Sequence, residues 1–198
     1  MITQYNALAS IPLKTGSTFL RPTQTLPERV RLGDPATDVM TDLSKVSVVS
    51  VRAKTSMDKA NAKMIKYGVR MLLVLDDNEQ LAGLITATDI LGEKPMRFLQ
   101  NMGGTHADIM VRDIMTPQRE LEVLGIEEVK KARVGDIVMT VKKANRQHSM
   151  VVSEKPDGTH AVCGLFSLTQ IARQLGAQVQ SFELARTFSE IEAVIAKN

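Results

Sequence analysis

This sequence predicts an α+β protein made of two related modules, and three observations carry that prediction. A short segment occurs twice, as GLITATD at 83–89 and GLFSLTQ at 164–170. Each copy closes a unit that opens alike, with DVMT at 38–41 and DIMT at 113–116. Between opening and closing lie the apolar runs RMLLVLD at 70–76 and QHSMVVS at 147–153. The landmarks keep one order at offsets of 75, 77 and 81 residues, a drift that insertions in connecting loops produce without disturbing packed elements. The chain is therefore a tandem duplication. With two copies only, the modules are expected to form a pseudo-twofold pair that buries its faces together rather than an open array.

Taken in order, residues 1–35 hold Pro12, Pro22, Pro27 and Pro35 with little periodicity, so they predict an extended arm that lies over the core or is partly disordered. In the first module, 36–103, VSVVSV at 46–51 is a β-branched run suited to a buried strand. Thr55, Ser56 and Asp58 then start a helix that runs to about Tyr67, and Gly68 stops it. Apolar runs at 71–75 and 81–85 around a polar turn at 76–80 predict a hairpin, followed by a helix from near Thr88. An amphipathic stretch from about Pro95 to Met102 ends at Gly103 and Gly104, the joint between modules. The unit is strand, helix, strand, strand, helix.

The second module, 104–176, repeats the plan with a strand at 121–124, a helix from about Val134 to Ala144, and a hairpin turning at KPDG, 155–158. Eleven positions separate Ser153 from Gly164 where seven separate Asp76 from Gly83, so the second hairpin loop is expected to be four residues longer. Extra residues also sit in GIEEVKKARVG at 125–135. In 177–198, Phe182, Ala185, Phe188, Ile191 and Ile195 recur at helical spacing, with Ser189 and Glu192 as a cap pair. That tail reads as an amphipathic helix, to be buried against the modules or a second subunit.

Composition narrows the function classes. Net charge is +3 from 25 Lys and Arg against 22 Asp and Glu, a thin surplus rather than a basic block. With five Phe, two Tyr and no Trp, platforms for stacking bases are scarce, so nucleic acid is an unfavoured partner. Lys142, Lys143 and Arg146 read as a solvated helix face. No run reaches about 18 apolar residues and the first twenty lack an apolar core segment, which predicts a cytoplasmic protein with no membrane anchor. Cys163 is the one cysteine, in the apolar run AVCGLF, and reads as a buried strand thiol. His106 and His160 read as loop residues, and the three histidines are too scattered for a metal site. No GxSxG, GxxxxGK[ST], HExxH or CxxC is present, so catalysis is not expected.

The openings, the apolar middle strand, and the closing Gly, two apolar residues, Thr or Ser, two residues and an acid resemble the CBS domain over roughly residues 36–176. The resemblance implies a stand-alone tandem pair, or Bateman module. Such pairs bind adenine-containing ligands, AMP, ADP, ATP or S-adenosylmethionine, in clefts between the halves, and many dimerise further into a disc.

Carried over by position, Thr86 would meet phosphate and Asp89 would accept hydrogen bonds from ribose hydroxyls. A Thr at a strand-to-helix turn lies beside free backbone N–H groups, and an ionised carboxylate is a pure acceptor suited to a diol. The same Thr and Asp, three apart, also make a helix-capping box, and one residue can do both. In the second copy Ser167 keeps the hydroxyl while Gln170 replaces the acid and loses the charge-assisted contact. At the start of the middle strands stand Arg70 and His148. Arg70 offers phosphate a fork of donors, and His148 would contribute most when protonated; the alternatives are a solvated strand-end charge and a neutral ring. The first motif, with Arg70 at its strand start, is thus expected to carry the better site and the second a weak or empty one.

The expected function is regulatory sensing of an adenine nucleotide by a homodimer that passes occupancy to a partner protein. A ligand-free dimerisation module is the alternative, with an S-adenosylmethionine binder next, and an enzyme or nucleic-acid-binding protein further behind.

Overall fold

The computed structural model describes Pro12, Lys14, Thr15, residues 23–177 and residues 184–196. The first repeat contributes β1 (Thr41–Asp42), β2 (Ser50–Arg52), α1 (Met57–Tyr67), β3 (Met71–Leu75), β4 (Leu81–Thr86), α2 (Ala87–Leu91) and α3 (Lys94–Met102). The second contributes α4 (Val111–Ile114), β5 (Thr116–Pro117), β6 (Val123–Gly125), α5 (Ile126–Val129), α6 (Val134–Lys143), β7 (His148–Glu154), β8 (His160–Ser167) and α7 (Leu168–Gln174), and the tail forms α8 (Leu184–Ile195).

Two four-stranded sheets result, in the orders β2-β3-β4-β5 and β1-β8-β7-β6. Each is completed by the opening of the other repeat. Thr41 pairs with Leu165 and Asp42 with Gly164, while Thr116 pairs with Leu84 and Pro117 with Gly83. The exchange extends beyond the strands. Ala36 N donates to Ala132 O and Val134 N to Asp34 O; correspondingly, Val111 N donates to Thr55 O and Met57 N to Ile109 O. The expected pseudo-twofold pair is present, with its openings crossed over.

The crossing is held by glycine. A Cβ on Gly83 would lie 2.3 Å from the Thr116 carbonyl oxygen, and one on Gly164 would lie 2.6 Å from Met40 Sδ. At Gly83 only a residue without a side chain lets the borrowed backbone approach this closely, while at Gly164 the space is filled by the flexible Met40 side chain.

The middle strand MLLVL does not alternate because both its faces are covered. Leu72 and Val74 pack with Met57, Met64 and Ile85 under the helices of their own side. Met71 and Leu73 meet Met150 of β7, with Leu84 and Leu165 beside them, in a core between the two sheets. Burying each such side chain contributes roughly 1.5–3 kcal/mol, so this strand ties the outer layer to the centre. A third core gathers Phe166, Ile171, Val134, Ile137, Val39 and Val30 on the second side. The arm lies over it, with Val30 N donating to Gln174 O and the Gln174 amide donating to Pro27 O at 2.7 Å. Residues 1–11, 13 and 16–22 of the arm fall outside the described residues.

Several elements depart from expectation. Of the predicted 46–51 strand only Ser50 and Val51 are β, within β2, because Lys45 N and Val46 N turn back onto Asp42 O and the chain rejoins β3 only where Leu73 N donates to Val49 O. The strand expected at 121–124 is shifted to Val123–Gly125. The second hairpin loop is no longer than the first: 76–80 and 155–159 each connect their strands, and the four extra residues lengthen β7 and β8 instead. Pairing them adds ladder hydrogen bonds that a solvated loop would forgo. Part of the 125–135 insertion folds as α5.

In the tail, Phe188 and Ile191 are buried against the second side, as the amphipathic reading requires. Ile195 is 38% exposed, and Ser189 and Glu192 lie inside α8 rather than at its start, so they are not a cap pair. Glu192 instead pairs with Lys142. Phe182 and the Ala185 side chain lie outside the described residues. No described helix is long and apolar enough to cross a membrane.

Candidate functional site

The two closing motifs stand at two clefts on either side of the inter-sheet core. The smaller, about 280 Å³, is lined by Thr86, Thr88 and Asp89, by Thr116 from the crossed-over opening, by Glu122 just before β6, and by Arg146 and Gln147. The larger, about 910 Å³, is lined by Ser167, Thr169, Gln170 and Arg173, by the non-strand segment 46–49, and by Arg70.

This arrangement corrects the expectation that Arg70 serves Thr86 and Asp89. Met71 opens β3 in register with Thr86, and Arg70 stands one residue before the strand. Its side chain borders the larger cleft. The matching residue of the second repeat, Gln147, borders the smaller one. The acid and the guanidinium that the repeat seemed to unite are in different clefts.

At the smaller cleft the capping box forms in full. Asp89 Oδ2 accepts from Thr86 N at 2.8 Å and from Thr86 Oγ1 at 2.7 Å, and Asp89 N donates to Thr86 Oγ1 at 3.3 Å. Lys94 Nζ stands 2.6 Å from Asp89 Oδ1. Thr86 thus spends its one hydroxyl proton on Asp89 and has none for a phosphate. A carboxylate offers about four acceptor positions and three are taken, which leaves Asp89 room for one hydroxyl donor. The cleft's guanidinium, Arg146, is held 3.4 Å from Glu122 Oε2 and donates to Glu120 O at 3.4 Å.

At the larger cleft Ser167 makes no side-chain capping bond, so its hydroxyl is not committed to the helix. Gln170 donates to Gln174 Oε1 at 3.3 Å, along α7. Arg173, three residues past Gln170, borders the cleft with Arg70. Burial first, and the charge of Arg173 second, push the Arg70 guanidinium below its ordinary value. Two like charges sharing one wall are an arrangement that an anion relieves. No carboxylate occurs among the described lining residues of this cleft. Its apolar wall includes Val48, Val49, Met64 and Leu165.

His148 borders both clefts. Its Nδ1 is buried without a hydrogen-bond partner. Burial chiefly, and then the charge of Arg70, push the imidazole down to about 4, with Asp89 pulling weakly the other way. The ring is neutral at mildly acidic pH, so the expected imidazolium contact with phosphate does not arise there. Cys163 is half-buried on β8 with its thiol 3.6 Å from Val151 O. His106 is exposed and 3.6 Å from Asp58.

Two cleft residues, Arg146 and Arg173, have no place in the repeat motif. Arg173 was signalled only by its spacing, one helical turn beyond Gln170. The spacing of Arg146 predicts a solvated face, whereas tertiary packing brings it to the cleft together with Glu122.

A family model described as CBS domain matches residues 36–95. No match was found among curated proteins. Among solved structures, the chain is similar to an uncharacterized conserved protein from Pyrococcus horikoshii, with 21% identity, 77% of this chain and 99% of that one covered, and a TM-score of 0.53. It is similar to a CBS-domain containing protein from Agrobacterium tumefaciens at 13% identity, with 80% and 98% covered and a TM-score of 0.51. A CBS domain pair solved in complex with 5-methylthioadenosine and S-adenosyl-L-methionine is 18% identical, with 73% and 97% covered and a TM-score of 0.50. These likenesses carry the fold, that of a tandem CBS pair, and the matched model identifies residues 36–95 as a CBS domain.

Proposed function

We propose that this chain is a regulatory module that binds an adenine nucleotide in the larger cleft and signals occupancy to a partner protein without turning the ligand over. The observation that carries the reading is the pair Arg70 and Arg173 beside the uncommitted Ser167 hydroxyl, in a cleft with apolar walls and no carboxylate among its described lining residues. The guanidiniums and hydroxyl suit phosphate, and the valine segment 46–49 suits the base. At about 910 Å³ the cleft lies within the ~300–1,000 Å³ usual for small-molecule sites. The solved CBS pair that holds two adenosyl ligands is a precedent for the ligand class.

On this reading, occupancy would be passed outward through the rim of the same cleft. Ile65 and Leu91 border the larger cleft and are 74% and 72% exposed, so a ligand there meets side chains that also face outward. Exposed apolar residues of this kind suit a homodimer or partner surface.

The test is a thermal-shift panel of AMP, ADP, ATP, NAD and S-adenosylmethionine on the wild type, Arg173→Ala and Asp89→Ala. A ligand at 100 times its Kd stabilises the native state by about 2.7 kcal/mol. Phosphate-bearing ligands are expected to raise the midpoint of the wild type and of Asp89→Ala, and to do so far less in Arg173→Ala. Equal shifts in all three proteins would place the site elsewhere. No shift from any adenine ligand would leave a ligand-free dimerisation module. Recovery of unaltered ATP after prolonged incubation is expected, and its hydrolysis would make the chain an enzyme.

A further inference from the structure

We infer that the two clefts sort adenine ligands by charge: the larger takes the phosphorylated ligand, and the smaller takes an unphosphorylated nucleoside that is neutral or cationic. The inference rests on the adenine-binding reading above and assigns the smaller cleft a different ligand class. The larger cleft is bordered by two guanidiniums and by no described carboxylate. The smaller is bordered by the carboxylates of Asp89 and Glu122 and by one guanidinium, Arg146, which is already paired to Glu122. Each carboxylate already holds a cation, Asp89 with Lys94 and Glu122 with Arg146, so a phosphate entering there would have to compete with a carboxylate for its positive partner.

The polar groups left at the smaller cleft match a nucleoside. Asp89 keeps one acceptor position for a ribose hydroxyl, while Thr86 has no hydroxyl proton to give to phosphate. Leu84, Leu121 and Met150 supply an apolar wall for a base, and the buried, unpartnered Nδ1 of the neutral His148 lies in the same lining. Size agrees. At about 280 Å³ the smaller cleft stands at the lower edge of the ~300–1,000 Å³ range of ligand pockets, with less room for a phosphate chain than the larger one offers. A cationic substituent on the nucleoside would share the carboxylates of Asp89 and Glu122 with Lys94 and Arg146, which a phosphate cannot do.

Isothermal titration of the full chain with AMP and with adenosine tests the sorting, using the wild type, Arg173→Ala and Glu122→Lys. Glu122 has 79% of its side chain exposed, so reversing its charge leaves the packing intact. AMP is expected to saturate at one per wild-type chain and adenosine to bind as well. Arg173→Ala is expected to weaken AMP about tenfold or more, the usual loss with a charged hydrogen-bond partner, and to leave adenosine within about twofold. Glu122→Lys is expected to admit a second AMP. Two AMP per wild-type chain, or a single AMP in Glu122→Lys, would overturn the sorting while leaving the adenine reading in place. Failure of both ligands to bind the wild type would remove the adenine reading, and the sorting with it.

Discussion

The two clefts of this protein come from one repeated motif, yet the copy that kept the motif whole has fewer groups left for a ligand. At Thr86 and Asp89 the hydroxyl and carboxylate satisfy each other and the first turn of α2, with Lys94 on the remaining side. At Ser167 and Gln170 the hydroxyl has no capping bond and two arginines border the space. A motif that can satisfy itself as a cap has spent part of its chemistry on the fold, and its altered copy has not.

The largest difference between the halves is expected at the strand crossings. Gly83→Ala drives a Cβ against a backbone carbonyl, whereas Gly164→Ala meets the flexible end of Met40. The first should cost about 3 kcal/mol and the second about 1 kcal/mol by urea denaturation, on the scale of overpacking. Equal costs would mean that the two crossings are equally yielding.

Next comes acid sensitivity at the shared wall. The unfolded chain takes up a proton on His148 near pH 6.5, while the folded chain holds the ring neutral down to about 4. Stability attached to this residue is therefore complete above pH 6.5 and declines as pH falls through that window, by about 2 kcal/mol at pH 5. His148→Met installs the residue that Met71 provides at the matching place in the first repeat. Its unfolding midpoint should be flatter between pH 6.5 and 5 than that of the wild type; parallel curves would acquit His148.

The smallest effect separates the two caps themselves. Thr86→Ala should destabilise by about 1 kcal/mol, the common value of an N-cap, and Ser167→Ala should stay within about 0.5 kcal/mol because no capping bond is lost. A cost for Ser167→Ala as large as that for Thr86→Ala would erase the contrast between the motifs.

Much of the secondary structure was legible in the sequence because it rests on local signals. The 71–75 run, the Gly68 stop and the KPDG turn each specify their own backbone. The crossing of the openings was not, since a two-residue strand has no periodicity and a repeat says what resembles what, not what touches what. The placement of Arg70 has a related cause: it precedes β3, where Met71 pairs with Thr86, and tertiary packing puts its side chain on the other cleft. The extra residues at 153–164 predict a longer loop because their count, unlike their pairing, is visible in a sequence. Glu122 and Arg146 reach the smaller cleft through tertiary packing of segments that carry no motif.

The exchange of β1 and β5 bears on how a protein of this kind could arise. A chain with one repeat would carry an opening strand with no sheet of its own to join, and a sheet lacking its outer strand. Its missing piece would sit on another copy, so its folding would follow mass action and fail on dilution. Joining two repeats end to end replaces that encounter with an internal one at an effective concentration on the order of millimolar. Gene fusion would thus have turned an association equilibrium into a property of a single chain, and thereafter each half was free to change its ligand chemistry without losing its partner.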